Sequence, residues 1–242
     1  MAKPIVFFGE LLIRLTAPGR ELLMQSHGFD VHVGGAEANV AVGLARLGHD
    51  TAMVSAVPDN ALGRGAVSAI RAHNVDCSNV QARDGRMGLY FLAQGAGLRA
   101  SEIVYDRLGS SFAHMNAADF DWDILLRDAK MLHLSGITPA LGPQSAEAAL
   151  AAAKAAARMG IPISFDGNYR AMLWERWDSN PRAILSELIG HADILFGNHR
   201  DISLVLGQDF SGDGADRRRE AALAAFGAFP TLKLIASTAR HL

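Results

Sequence analysis

The chain has 242 residues, with 23 Lys and Arg against 25 Asp and Glu, for a formal net charge of −2. That balance offers no broad basic surface to a polyanion, which argues against a nucleic-acid binder. Half of the residues are apolar and a fifth are charged, an ordinary globular composition in a chain long enough to bury a core without covalent staples.

At the N-terminus, Ile5–Phe8 reads as a short strand. Its apolar run is too brief for the core of a signal peptide, and no stretch of the chain has the length of a membrane span. The segment "LLMQSHGFDVHVGG" reads as extended chain with a turn at Gly28. A helix is expected over Ala36–Leu47, with Val40, Leu44 and Leu47 on its core stripe and Gly48 as its stop. A strand over Ala52–Val57 and a helix over Gly63–His73 follow. Cys77 is the only cysteine, so no intrachain disulfide can form, which fits a reducing cytoplasm. Leu89–Ala93 and Glu102–Tyr105 read as a hairpin outside the main winding.

Beyond the hairpin, strand and helix alternate. Strands are expected at Met131–Leu134, Ile163–Phe165, Ile194–Phe196 and Leu232–Ala236. Helices are expected at Pro143–Met159, Pro181–Ile189, Arg200–Leu206 and Arg217–Phe226. Such alternation predicts a parallel α/β sheet, with the hairpins forming a small antiparallel sheet beside it. The basic run Arg217–Arg219 reads as a solvated helix face.

In an open parallel sheet, ligands bind beyond the carboxyl ends of the strands. After Phe165 comes "DGNYR". Extended spacing would aim Asp166, Asn168 and Arg170 one way, a set suited to hydroxyls and a carboxylate or equally to a plain turn. After Phe196 comes "GNHRD". Asn198 there either caps the next helix or, with Asp201, faces phosphates and hydrated Mg²⁺. Tyr90, Tyr105 and Arg107 alternate onto one hairpin face, which suits a sugar acid or simple cross-strand packing. The nine histidines have no metal-binding spacing, and no P-loop or nucleophile elbow is present. "QGAGL" leads into no helix, and "SGDGAD" reads as a turn with a cap.

Gly34 and Gly35 precede the first helix without the Lys or Ser/Thr of a phosphate cradle. They read as a floor that lets backbone amides approach a ligand, with Asn39 as a hydroxyl partner and Glu37 complementing the helix dipole.

The ordered motifs "GELLIRL", "GGAEANVAVGLARLG", "AVPDNALG", "GLYFLAQG", "VYDRLGSS", "LHLSGI", "FDGNYRAMLW" and "ILFGNHRD" resemble those of the ribokinase-like (PfkB-type) carbohydrate kinases. Within them, "LYFLAQG", "VYDR" and "DGNYR" resemble the 2-keto-3-deoxygluconate kinases. The resemblance covers essentially the whole chain. It implies a single three-layer α/β/α domain over residues 1–242, with small β-sheet lid segments near 12–33 and 87–108, often used for pairing subunits as a homodimer. It implies ATP-dependent phosphorylation of the terminal hydroxyl of 2-keto-3-deoxygluconate, with Mg²⁺. The sugar acid would be bound by Gly34, Gly35, Asn39, Tyr90, Tyr105, Arg107, Asn168 and Arg170. The nucleotide side would hold Asn198, Asp201, Thr238 and Arg240. The family's "NxxE" pattern here ends in Asp201. Its glycine-rich Asp-Thr-x-Gly-Ala-Gly-Asp segment, which carries the general base, is not found before Leu242. The expectation is therefore a domain C-terminally incomplete, with no catalytic base within the chain and negligible turnover. A fructokinase or ribokinase specificity, or a non-catalytic sugar-binding or dimerisation module, are the alternatives.

Overall fold

A computed structural model of the chain describes residues 3–210 and 214–238. In chain order these form β1 (Ile5–Phe8), β2 (Leu12–Thr16), β3 (Asp30–Gly34), α1 (Ala36–Arg46), β4 (Thr51–Pro58), α2 (Ala61–Arg71), β5 (Asp76–Arg83), β6 (Gly88–Ala93) and β7 (Glu102–Asp106). There follow α3 (Trp122–Leu125), β8 (Met131–Ser135), α4 (Pro143–Arg158), β9 (Ile163–Asp166), α5 (Ala171–Trp174), α6 (Pro181–Gly190), β10 (Ile194–Phe196), α7 (His199–Leu206), α8 (Ala215–Ala228) and β11 (Leu234–Ala236). Two compact units emerge. Unit 1 combines Met1–Phe8 with Asn116–Leu242, and unit 2 is Gly9–Met115.

Unit 1 is a parallel sheet flanked by helices. Its strands run β11-β10-β9-β8-β1, each parallel to its neighbour. The helix boundaries follow from local chemistry. Pro143 opens α4 at a position where the missing N–H costs nothing, and Gly160 with φ 68 lies just beyond its end. Asn180 caps α6, accepting from the Ala183 N–H at 3.0 Å. Gly207 with φ 62 closes α7 in the left-handed conformation that glycine adopts without strain. Alanines give α4 its high propensity, and seven of them are buried where it packs on β8, β9 and α6. The core adds Phe8, Phe120 and Trp122, whose rings meet at centroid distances of 4.9 to 5.4 Å.

Unit 2 holds two β arrangements. β4, buried over all eight residues, pairs in parallel with β5. A second sheet of four strands runs β3-β2-β6-β7. β2 is antiparallel to β3 but parallel to β6, and β6 is antiparallel to β7. "QGAGL" is the tight turn between β6 and β7, with Ala96 and Arg99 exchanging backbone hydrogen bonds of 3.0 Å around Gly97 at φ 59. Asn60 caps α2 through the Leu62 and Gly63 N–H groups.

Two expectations need correction. The buried side of α1 is Glu37, Ala38 and Ala41, whereas Val40 and Leu47 are exposed. The small Ala38 and Ala41 face β4, where the helix lies close, and the larger stripe turns away. β5 was not expected at all: "DCSNVQAR" is polar and lacks the β-branched run that marks buried strands, because only one neighbouring strand orders it. The basic run behaves as expected, with Arg217 exposed and paired to Glu220 at 2.7 Å one helical turn on. Among the described residues, no helix is long and apolar enough to cross a membrane.

Burial in β8 pushes the His133 imidazole down to about 4. Its Nδ1 lies 3.0 Å from Ser164 Oγ, and its Nε2 is buried without a partner. Since the unfolded imidazole titrates near ~6.5, the unfolded chain binds more protons between about pH 4 and 6.5. Stability is therefore fully present above pH 6.5 and falls as pH drops towards 4, by about 3 kcal/mol from this group. Urea unfolding of the wild type and His133→Gln across that range measures it: the variant loses this share of the pH dependence.

Candidate functional site

The first cluster lies in unit 2, where β3 turns into α1. Gly35 is buried, and a Cβ there would sit 2.2 Å from the Glu10 carbonyl oxygen. The second glycine of the pair is thus demanded by backbone approach to Glu10. A Cβ on Gly34 would meet Asn39 Oδ1 at 3.1 Å, so the bare backbone of Gly34 and the exposed amide of Asn39 are neighbours. Glu37 occupies the first turn of α1 as expected, but it is buried, and its carboxylate fills the space that a Cβ on Gly9 would take.

The second cluster is one face of the four-stranded sheet. Strand register aligns His32, Arg14, Tyr90 and Tyr105 in a single cross-strand row. The Tyr90 and Tyr105 rings lie 6.1 Å apart. The opposite face carries Val31, Leu15, Phe91 and Val104 in the next row.

Arg107 follows β7 and is not an open cation. It is 5% exposed, and its Nε and Nη2 donate to Glu10 Oε2 at 2.7 and 2.6 Å. Ser110 Oγ donates to the other carboxylate oxygen of Glu10 at 2.5 Å. Glu10, 2% exposed, is the functional-site residue that sequence reasoning missed. Its signal was available: a single carboxylate between the apolar Ile5–Phe8 and Leu11–Ile13 must be paired if it is buried. Asp106 of the "VYDR" motif is taken by Arg86, whose Nη1 donates to it at 2.7 Å and which holds its carboxyl below the usual range.

The third cluster lies at the strand ends of unit 1. Asn168 has φ 38, so the chain after β9 is not continuously extended, and the alternation expected to align Asp166, Asn168 and Arg170 is interrupted there. What brings these groups together is compaction of the strand ends. The Gly167 N–H donates to the Phe196 carbonyl at 2.8 Å, and a Cβ on Gly167 would meet the Asp201 carboxylate carbon at 3.0 Å. Burial, with Asp201 close by, pushes the Asp166 carboxyl up. Burial does the same to Asp201, against the Asn198 N–H and the Arg170 guanidinium. Arg170 itself is exposed, and its Nη1 donates to the Tyr169 carbonyl at 2.9 Å. Asn198 caps α7, accepting from Arg200 N at 2.8 Å, while Asp201 Oδ2 accepts from Asn198 N at 2.9 Å. Thr238 is exposed just past β11, and Arg240 lies outside the described residues, as do Ser211–Asp213 of "SGDGAD".

A polar cavity of about 460 Å³ in unit 2 is lined by Asp59, Ala82, Arg83, Asp84, Ser111 and His114, none of them an expected site residue. Among the described residues, no group of three or more His, Cys, Asp or Glu side chains could hold a metal ion. Asp166 and Asp201 are half-buried, and two carboxylates are the donor type that suits a divalent cation keeping most of its water.

The family profile described as pfkB family carbohydrate kinase matches residues 2–231. The chain is 34% identical over 86% of its length to a 2-dehydro-3-deoxygalactonokinase of Haloferax volcanii, and covers 65% of that protein. Across the curated relatives the chain spans between about half and two thirds of their length. The crystal structure of 2-dehydro-3-deoxygluconokinase from Thermotoga maritima superposes with a TM-score of 0.87 at 37% identity, over 93% of this chain and 69% of that one. A sugar kinase of Pyrococcus horikoshii in complex with ATP matches with a TM-score of 0.75 at 28% identity, over 86% of this chain and 68% of that one. The mixed α/β fold, its parallel sheet flanked by helices, is the one shared with these proteins, and the chain belongs to the pfkB family of carbohydrate kinases.

Proposed function

We propose that the chain supplies the sugar-binding surface and part of the nucleotide-binding surface of a kinase that transfers a phosphoryl group from ATP to the terminal hydroxyl of a 2-keto-3-deoxy sugar acid, 2-keto-3-deoxygluconate or its galactonate epimer. The observation that carries this reading is the polar face of the four-stranded sheet. Tyr90 and Tyr105 stand side by side on it, and the same unit holds bare Gly34 next to the Asn39 amide. Aromatic rings and an amide suit the faces and hydroxyls of a sugar. The exposed guanidinium of Arg170 and the amide of Asn168, in unit 1, have the chemistry to bind a carboxylate and hydroxyls, and a neutral sugar has no use for a bidentate cation. Gly35 and Arg107 support that binding surface through the Glu10 backbone and carboxylate. The names of the Haloferax and Thermotoga relatives, both acting on such acids, point the same way.

On the nucleotide side, Asn198, Asp201, Thr238 and Arg240 are assigned to Mg-ATP, consistent with the ATP complex of the Pyrococcus neighbour. Asp166 and Asp201 are the groups whose burial and mutual repulsion fit a bound Mg²⁺, which when present neutralises phosphate charge. This chain's own residues do the orienting: the Asn198 side chain fixes the start of α7, and its N–H fixes one oxygen of Asp201.

Isothermal calorimetry with 2-keto-3-deoxygluconate, 2-keto-3-deoxygalactonate and fructose tests the reading. The acids are expected to bind more tightly than fructose, and Arg170→Ala to narrow the gap by roughly tenfold, the value of a lost charge-assisted bond. A chain that prefers fructose would overturn the assignment.

The homodimer expected from the lid segments is assigned to the apolar sheet face. Val31, Leu15, Phe91 and Val104 form an apolar row across all four strands, and Val31 is 64% exposed. Sedimentation of Val31→Lys and of the wild type measures this. The variant is expected to run as a monomer at concentrations where the wild type is dimeric, with unchanged thermal unfolding of the monomer.

A further inference from the structure

We propose that Asp84 is a site of covalent self-modification: in the folded chain its side chain closes onto the Gly85 backbone nitrogen and converts the Asp84–Gly85 link to an isoaspartyl bond. The substrate is the chain itself, and the only co-reactant is water.

Glycine follows aspartate at three places, Asp84, Asp166 and Asp213, of which Asp213 lies outside the described residues. In such a pair the side-chain carboxyl carbon and the next backbone nitrogen can close a five-membered ring, and glycine has no Cβ to hinder the approach. The Gly85 nitrogen attacks Cγ of the Asp84 carboxyl in its acid form. The N–Cγ bond forms, the C–OH bond breaks, and the hydroxyl leaves with the amide proton as water. Water then opens the resulting succinimide at either carbonyl. Opening at the main-chain carbonyl leaves the backbone running through the former side-chain carboxyl, with the mass unchanged.

The fold decides which pair can react. Asp166 ends β9 and is half-buried, and the Gly167 N–H that would have to attack it donates to the Phe196 carbonyl at 2.8 Å. That nitrogen is held by its hydrogen bond. Asp84 stands in the bend just past β5, exposed, and lines the polar cavity of about 460 Å³ that gives water access to it. Among the described residues nothing bonds to the Asp84 carboxylate or to the Gly85 N–H. Asp59, which lines the same cavity, is instead paired with Arg64 at 3.2 Å.

The fold also keeps the reactive glycine in place. Gly85 has φ 121, and a Cβ there would sit 2.8 Å from Ser111 Oγ, so a bulkier residue that would slow ring closure does not fit. Just beyond, Arg86 donates to Asp106 Oδ1 at 2.7 Å and to the Leu108 carbonyl at 3.2 Å, and its own carbonyl accepts from the Ser111 N–H at 2.9 Å. An isoaspartyl link adds one methylene to the backbone next to this clamp and misplaces it.

Ageing the 242-residue chain at neutral pH, folded and in urea, tests the assignment, with isoaspartate mapped by methylation with an isoaspartyl methyltransferase and by loss of proteolytic cleavage before Asp84. In the folded chain the label is expected to accumulate roughly tenfold faster at Asp84 than at Asp166, the ratio set by opening one protecting hydrogen bond. In urea the two rates are expected to converge. Asp84→Glu is expected to lose the label at that position, because a glutamate must close a six-membered ring. Aged wild type is expected to unfold at a lower temperature than aged Asp84→Glu. Equal labelling of Asp84 and Asp166 in the folded chain, or a label at Asp84 only in urea, overturns the proposal. A label at Asp84 with no fall in unfolding temperature overturns the effect on the Arg86 clamp.

Discussion

Unit 2 is organised around one buried carboxylate. Glu10 places its backbone carbonyl where a Cβ on Gly35 would be and its side chain where a Cβ on Gly88 would be, while Arg107 and Ser110 close around its two oxygens. One residue thereby fixes the start of α1, the start of β6 and the chain that follows β7. A charge this deeply buried is tolerable only when it is fully satisfied, so the residues around it are constrained as a set rather than singly. The arrangement is better understood as a device for positioning than as a source of stability, because desolvating both ions offsets much of their attraction.

Seen from that pair, Arg107 and Arg14, both in unit 2, stand in different surroundings. Arg107 belongs to the scaffold, and its positive charge is spent on Glu10. Arg14 belongs to the open row with the tyrosines. In unit 1 the burden is reversed. Two carboxylates, Asp166 and Asp201, are crowded near the ends of β9 and β10, and burial makes their negative charge costly.

Much of this was legible in the sequence. Strand and helix alternation gave the parallel sheet because buried parallel strands are short apolar runs, and Ile163–Asp166 or Ile194–Phe196 can hardly be read otherwise. Caps were legible for a local reason: Asn198, and Gly48 with φ 87 just past α1, act within a turn of where they stand. What could not be read was long-range. The partnership of Glu10 with Arg107 joins residues 97 apart. Val40, Leu44 and Leu47 have helical spacing, but spacing does not say which side of a helix meets the strand, and Ala38 and Ala41 do. The left-handed Asn168 likewise defeats a period-two argument that holds on either side of it.

The parallel pairing of β2 with β6 has a consequence for how unit 2 assembles. Each antiparallel pair, β2 with β3 and β6 with β7, is local and can form early, but Leu12 must find Gly88, 76 residues on, to join them. Contacts of such high sequence separation bear a large loop-closure entropy and form late in folding. The row that unites His32, Arg14, Tyr90 and Tyr105 therefore does not exist in either half alone. During synthesis the first hairpin emerges with an unsatisfied strand edge and waits for α1, β4, α2 and β5 to be made before its partner arrives, which leaves that edge open to mispairing in the nascent chain.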